Sequence, residues 1–255
     1  MNKRPSGEIL FDVALVSDTH VNEKEDFSTS PYPANGEANP RARYVFQQIN
    51  HGNAQFCIHL GDMVNPVPEL PSYVDAADNF HQLAAELTMP LHLMPGNHDI
   101  GTVNENPSRD IFFQEFDLNY PYIEKRDSLL MIYLDSTKNP GQIDEKIVRM
   151  LENSEPSENS VFIFSHHILR PQPHLIANGL TGHKLDINNI DVLAKAKKNF
   201  KKIYLISGDS GIKYMGVDCL NYQNIFFISS GISQSPKDRA LILDEENLYQ
   251  TDLLY

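Results

Sequence analysis

Short apolar runs that end in polar residues recur along this chain, and that recurrence limits the folds open to it. Ile9 to Val16 is followed by Ser17-Asp18-Thr19-His20, Phe56 to Leu60 by Gly61-Asp62, and Leu91 to Met94 by Pro95-Gly96-Asn97-His98. Leu129 to Leu134 ends in Asp135-Ser136-Thr137, Val161 to Phe164 in Ser165-His166-His167, and Ile203 to Ile206 in Ser207-Gly208-Asp209. Continuous apolar runs this short read as strands buried on both faces. Helix-period segments lie between them, over 41–50, 73–88, 144–153 and 190–200. The alternation predicts a layered α/β domain. After Tyr222 three more runs, Ile225 to Ser229, Ala240 to Leu243 and Leu248 to Leu254, follow without helices between them. They predict a meander that completes a second sheet. No internal repeat or long linker divides the chain, so one domain over 1–255 is expected.

Bulk properties exclude some functions. The apolar fraction of 41% and charged fraction of 22% describe an ordinary globular protein. A formal charge of −13 argues against generic nucleic-acid or anionic-membrane binding, both of which need a basic face. A phosphate-bearing substrate would then need positive charge concentrated locally, which divalent cations supply. Cys57 and Cys219 make no disulfide framework, and Cys57 reads as a buried hydrophobe in its strand. No leader-like or membrane-length apolar segment is present, so the expectation is a cytoplasmic protein without a membrane partner. Two long polar segments, 21–40 and 169–189, read as lids over the strand ends.

In open α/β sheets, ligands collect at the carboxyl ends of the strands. Asp18, His20, Asp62, Asn97, His98, His166 and Asp209 all stand at such ends. Carboxylates, imidazoles and an amide oxygen form a set suited to Mn²⁺, Fe or Zn²⁺. In Gly96-Asn97-His98-Asp99, a hard metal can take the Asn97 oxygen. His98 can serve as acid or base with its second nitrogen held by a carboxylate such as Asp99. Each short motif also occurs as a plain turn; their joint occurrence, in order, is what favours a metal site. His166 and His167 are adjacent on a strand, so they face opposite ways and only one should be a ligand. Asp209 reads as a ligand or as a turn aspartate.

Asp18-Thr19-His20, Gly61-Asp62, Gly96-Asn97-His98-Asp99 and His166, in this order, resemble the calcineurin-like metallophosphoesterases. The segment 41–99 looks most like the cytosolic branch containing the class III cyclic-nucleotide phosphodiesterases. The resemblance implies a two-sheet β-sandwich flanked by helices, in four layers, with two divalent metal ions at one end. Carried over, Asp18 and His20 would hold the first metal, Asp62 would bridge, and Asn97 and His166 would hold the second. His98 would protonate the leaving oxygen, oriented by Asp99, and water activated by the metals would attack the phosphorus. Arg170 and His167 would contact substrate, a small phosphate monoester or diester. The chain departs from the family at the last motif. Gly208-Asp209-Ser210-Gly211 stands where members usually carry Gly-His-X-His. Asp209 can still bind the second metal, while Gly211 offers nothing to the first, leaving water, Ser210 or His183 to fill the gap. A carboxylate in place of imidazole tilts preference from Zn²⁺ toward Mn²⁺ or Fe²⁺. The competing function is a silenced domain used as a metal-dependent binding or scaffold module.

Overall fold

The computed structural model describes residues 13–31, 36–52, 54–101, 107–116, 118, 123–126, 129–138, 142–156, 160–169, 190–209, 218–222, 225–229, 231–232, 239–243 and 248–252. The predicted strands appear as β1 (Val13–Val16), β2 (Phe56–His59), β3 (Leu91–Leu93), β5 (Leu129–Tyr133), β6 (Ser160–Ser165) and β7 (Lys202–Ser207). Between them lie α1 (Ala38–Asn50), α2 (Tyr73–Ala84), α5 (Glu145–Glu152) and α6 (Ile190–Ala196). Two short helices, α3 (Asn97–Ile100) and α4 (Pro107–Glu115), and the edge strands β4 (Ile123–Arg126) and β8 (Asp218–Tyr222) had no apolar periodicity to announce them.

The strands form two sheets. One has the order β11-β10-β1-β2-β3, with β10 (Arg239–Leu243) and β11 (Leu248–Asp252); the other runs β4-β5-β6-β7-β9-β8, with β9 (Ile225–Ser229). The last three strands are therefore not one meander. β9 lies parallel to β7 in the second sheet, whereas β10 and β11 pair as a hairpin beside β1 in the first. The all-apolar Ile225-Phe226-Phe227-Ile228 suits a strand between two neighbours, a place that a meander edge would waste.

Side-chain alternation explains the layers. Val13 and Leu15 of β1, Phe162 and Phe164 of β6, and Tyr204 and Ile206 of β7 face inward and share one core between the sheets. Their neighbours Ala14 and Val16 point outward onto α1 and α2, through Ala42, Val45, Phe46 and Ile49 and through Tyr73, Ala76, Ala77 and Phe80. Val161, Ile163, Ile203 and Leu205 point outward on the other side, onto Ile147, Val148 and Leu151 of α5 and Leu193 of α6. The result is a helix–sheet–sheet–helix sandwich, with β1, β6 and β7 buried on both faces by residues of alternating direction. Within each sheet the parallel strands β1–β3, and β5, β6, β7 and β9, end on one edge.

The segment after β1 is not a free lid. Val21 pairs with Val64, and Val21, Asn22 and Ser28 are buried. Of the second expected lid only Leu169 is described; Arg170, His183, Ser210 and Gly211 lie outside the described residues. Among the described residues, no helix is long and apolar enough to cross a membrane.

Candidate metal centre

Side chains from five strand ends converge on one point. Ligand atoms of Asp18, Asp62, His166 and Asp209 all lie within 4.8 Å of one another, and those of His20, Asp62 and His98 do the same. Asp62 belongs to both groups. His20 Nε2 stands 3.6 Å from Asp62 Oδ2 and 4.0 Å from Asp18 Oδ1. Asn97 Oδ1 lies 3.0 Å from His166 Nε2. His167 joins neither group: its Nδ1 meets Ser136 Oγ at 3.1 Å, and its N–H donates to the same oxygen.

The backbone that delivers these groups is strained and interlocked. Among the described residues, the non-glycines with left-handed backbone are Asp18, His20, Asp62 and Asp209, at φ of 63°, 46°, 55° and 51°. Asp and His tolerate this region better than most residues, yet each instance still costs about 1–3 kcal/mol and persists only where surroundings enforce it. Here each of the four donates its N–H across the site. Asp18 donates to the Gly61 carbonyl (3.0 Å), His20 to the Asp62 carbonyl (3.0 Å), Asp62 to Asp99 Oδ2 (2.7 Å) and Asp209 to Asp18 Oδ2 (3.1 Å). Close approach demands glycine at two places. A Cβ on Gly61, itself at φ +103°, would lie 2.6 Å from His166 Nδ1, and one on Gly96 would lie 2.2 Å from Asp62 Oδ1.

Asp99 does not orient His98. Its carboxylate is turned inward, where Oδ2 accepts from the N–H groups of Asp62 (2.7 Å) and Gly96 (2.8 Å) and Oδ1 from those of Met63 (2.8 Å) and Val64 (3.3 Å). It is a buried anchor for the turn that carries Asp62. The partner of His98 Nδ1 is the main-chain carbonyl of Asn65, 3.0 Å away. A carbonyl only accepts, so Nδ1 carries the hydrogen.

Burial sets the electrostatics, with the charges around it deciding the sign. Burial raises Asp18 well above the usual carboxylate range, and although His166 lowers it, Asp62 and Asp209 add to the rise. Burial would raise Asp62 too, but His166, His98 and His20 together hold it well below that range. For His20 burial wins and lowers it to about 4, leaving the neutral, ligating form. Asp18 and Asp62 are buried in mutual contact with a third carboxylate, an arrangement costly without compensating positive charge. The donor set therefore fits a pair of hard or borderline cations.

His166 carries a testable consequence. Its Nδ1 donates to the Leu60 carbonyl (2.9 Å), and its Nε2 faces only oxygens, Asn97 Oδ1 and, at 3.4 Å, Asp62 Oδ1. Burial alone would lower its pKa, but Asp62, Asp209 and Asp18 raise it to about 9. A cation taking Nε2 must displace that proton. Calorimetric metal titration near neutral pH, in buffers of different ionisation enthalpy, should report about one proton released at this site, and His166→Gln should lose it. Heat independent of buffer would mean that Nε2 carries no proton before a cation binds.

The sequence model of calcineurin-like phosphoesterases matches residues 11–208. The chain belongs to that family. Comparison with curated proteins found no match. Among solved structures, this phosphoesterase-family chain is similar to a dimetal phosphatase from Danio rerio, with TM-score 0.62 and 13% identity, over 96% of this chain and 99% of that one. It is also similar to a purple acid phosphatase from yellow lupin (Lupinus luteus) seeds, with TM-score 0.62 and 12% identity, over 93% of this chain and 50% of that one. A third likeness is to a phosphopantetheinyl hydrolase from Mycobacterium tuberculosis, with TM-score 0.50 and 11% identity, over 94% and 95% of the two chains. The chain thus spans about half the length of the lupin enzyme. At these identities the likeness is one of fold.

Two parts of this phosphoesterase centre escaped the sequence reading. Asn65 acts through its main-chain carbonyl, which no residue type reveals. His59, inside β2, belongs to no motif, yet it ties two ligand-bearing turns together. Thr19 Oγ1 donates to the Met63 carbonyl (2.9 Å), so at 2.9 Å it must accept from His59 Nε2–H, and His59 Nδ1 faces the Gly61 N–H at 3.3 Å. The ring is neutral because burial lowers it from 6.5 to about 3. Its folded-state pKa lies below the unfolded one, so the unfolded chain takes the proton first. Its contribution is present above 6.5 and lost as pH falls toward about 3. In equilibrium denaturation, stability in that window should fall by up to about 1.4 kcal/mol more per pH unit in the wild type than in His59→Gln. Parallel slopes for the two proteins would contradict the neutral-clamp assignment.

Proposed function

We propose that the chain is a metal-dependent hydrolase of small phosphate esters. The observation that carries this is the convergence of Asp18, His166 and Asp209 on one side, and His20 and His98 on the other, upon Asp62. In this reading Asp18, His20 and Asp62 serve one cation, and Asp62, Asn97, His166 and Asp209 serve the other. When bound, such a pair stabilises charge on the phosphoryl oxygens and furnishes a nucleophile from water at neutral pH. Mn²⁺ or Fe²⁺ suits the added Asp209 carboxylate better than Zn²⁺ does.

The chain's own groups divide the remaining work. In its doubly protonated form His98 would deliver the Nε2 proton to the leaving oxygen and return to the neutral ring, with Nδ1–H on the Asn65 carbonyl throughout. Asp99 fixes the Asp62 turn by accepting four main-chain N–H groups. His167, held by Ser136 beside His166, is half-buried at the margin of the centre and suits a substrate contact. A silenced binding module is the competing reading, motivated by the missing last-motif histidine. Asp209 lies in the same ligand group as Asp18 and His166, which weakens that motive.

The deciding experiment strips metal, restores Mn²⁺, and assays nitrophenyl phosphate and bis-nitrophenyl phosphate. Hydrolysis of either that returns only with metal supports the hydrolase. Full metal occupancy without turnover across a broad panel of phosphate esters supports the binding module.

A further inference from the structure

Behind His98 lies a cluster of asparagines that metal binding does not require. Asn22 is fully buried, two residues past His20. Its N–H donates to Asn39 Oδ1 of α1 (2.7 Å), and its carbonyl accepts from Asn39 Nδ2 (3.1 Å) and from Asn79 Nδ2 of α2 (3.0 Å). Its own Oδ1 accepts from Asn65 Nδ2 (3.2 Å), while the Asn65 N–H donates to the Val21 carbonyl (2.9 Å). Asn65 is thereby held at both its side chain and its main chain, and its carbonyl faces His98 Nδ1. The His98 ring also meets the His20 ring edge to face at 4.8 Å.

Amides suit this place for a physical reason. Each offers a donor and an acceptor without charge, so a closed network forms without adding another carboxylate to a crowded acidic centre. An alkyl side chain at position 22 would leave the Asn65 amide unpaired and free to turn.

We propose that Asn22 is a positioning residue that, through Asn65, sets the orientation of His98 and so its reach toward the leaving oxygen. The geometry stands without any assumption about activity; the catalytic consequence rests on the hydrolase reading above. Proton transfer depends steeply on placement, and a displacement of about 1 Å can cost about 10²-fold.

The test compares Asn22→Ala with wild type on two esters that share a phosphoryl group and differ in leaving group, nitrophenyl phosphate and an alkyl phosphate. Nitrophenolate departs without a proton and alkoxide does not. The variant should therefore slow the alkyl ester at least about 10-fold and the nitrophenyl ester less than about threefold. Nitrogen-15 spectra of histidine-labelled protein supply a readout independent of turnover. Wild-type His98 should carry its hydrogen on Nδ1, and the variant should show a mixture of tautomers. Equal slowing of both esters, or an unchanged His98 signal, overturns the proposal. Should wild type with metal hydrolyse neither ester, the hydrolase reading fails and the spectra alone decide the positioning role. Should Asn22→Ala lose its fold, Asn65→Ala takes its place in the same measurements, since it keeps the carbonyl that faces His98 and removes the amide that Asn22 holds.

Discussion

Alanine in place of His98 should slow phosphoester hydrolysis by about 10²–10⁴-fold, the usual worth of a positioned general acid, while both metals stay bound. The structure separates these two effects. The His98 N–H donates to Asp62 Oδ1 (3.0 Å), and alanine keeps that main-chain contact with the bridging carboxylate. What it removes is the imidazole, whose Nδ1 rests on a neutral carbonyl and whose Nε2 is the proton donor in the proposed reaction. The loss should be greatest for esters with poor leaving groups. Turnover and metal content measured side by side decide the assignment. If metal content falls in step with activity, His98 is a ligand completing the His20–Asp62 group, and the general-acid role is wrong.

Asp99→Asn should be the most damaging conservative change to the fold, costing about 3–5 kcal/mol. The aspartate is fully buried and its oxygens take up four N–H donors from Asp62, Met63, Val64 and Gly96. An amide keeps one oxygen and sets an NH₂ group against two of those donors. Burial and the Asp62 carboxylate push Asp99 upward, and the N–H groups of Gly96 and Val64 pull it back. A domain of this size loses about 2–4 °C in Tm per kcal/mol, so a fall on the order of 10 °C is expected. Metal affinity should weaken too, because the left-handed Asp62 is held partly by this anchor. A Tm within about 3 °C of wild type, with unchanged metal binding, would mean the turn holds itself.

Much of the architecture was legible because burial writes itself into local pattern. Each strand between two neighbours is a continuous apolar run, and each amphipathic helix shows its stripe, as Ala42, Val45, Phe46 and Ile49 do in α1. Asp18, Asp62, Asn97, His166 and Asp209 were visible for a related reason. Each interrupts an apolar run where a parallel strand reaches solvent, and parallel strands bring such ends to one edge. Edge strands β4 and β8 were silent, since a strand with one neighbour needs no such run.

The sequence alone determined the layered α/β plan, the strands and the residue types gathered at their ends, because hydrophobic burial acts on neighbours in the chain. Tertiary structure decided which sheet β9 joined, that the segment after Val21 docks rather than swings, that Asp99 anchors a turn while a carbonyl holds His98, and that His59 and Asn22 brace the centre. Those outcomes are hydrogen bonds between segments tens of residues apart, several to main-chain atoms, and a main-chain atom is the same in every residue.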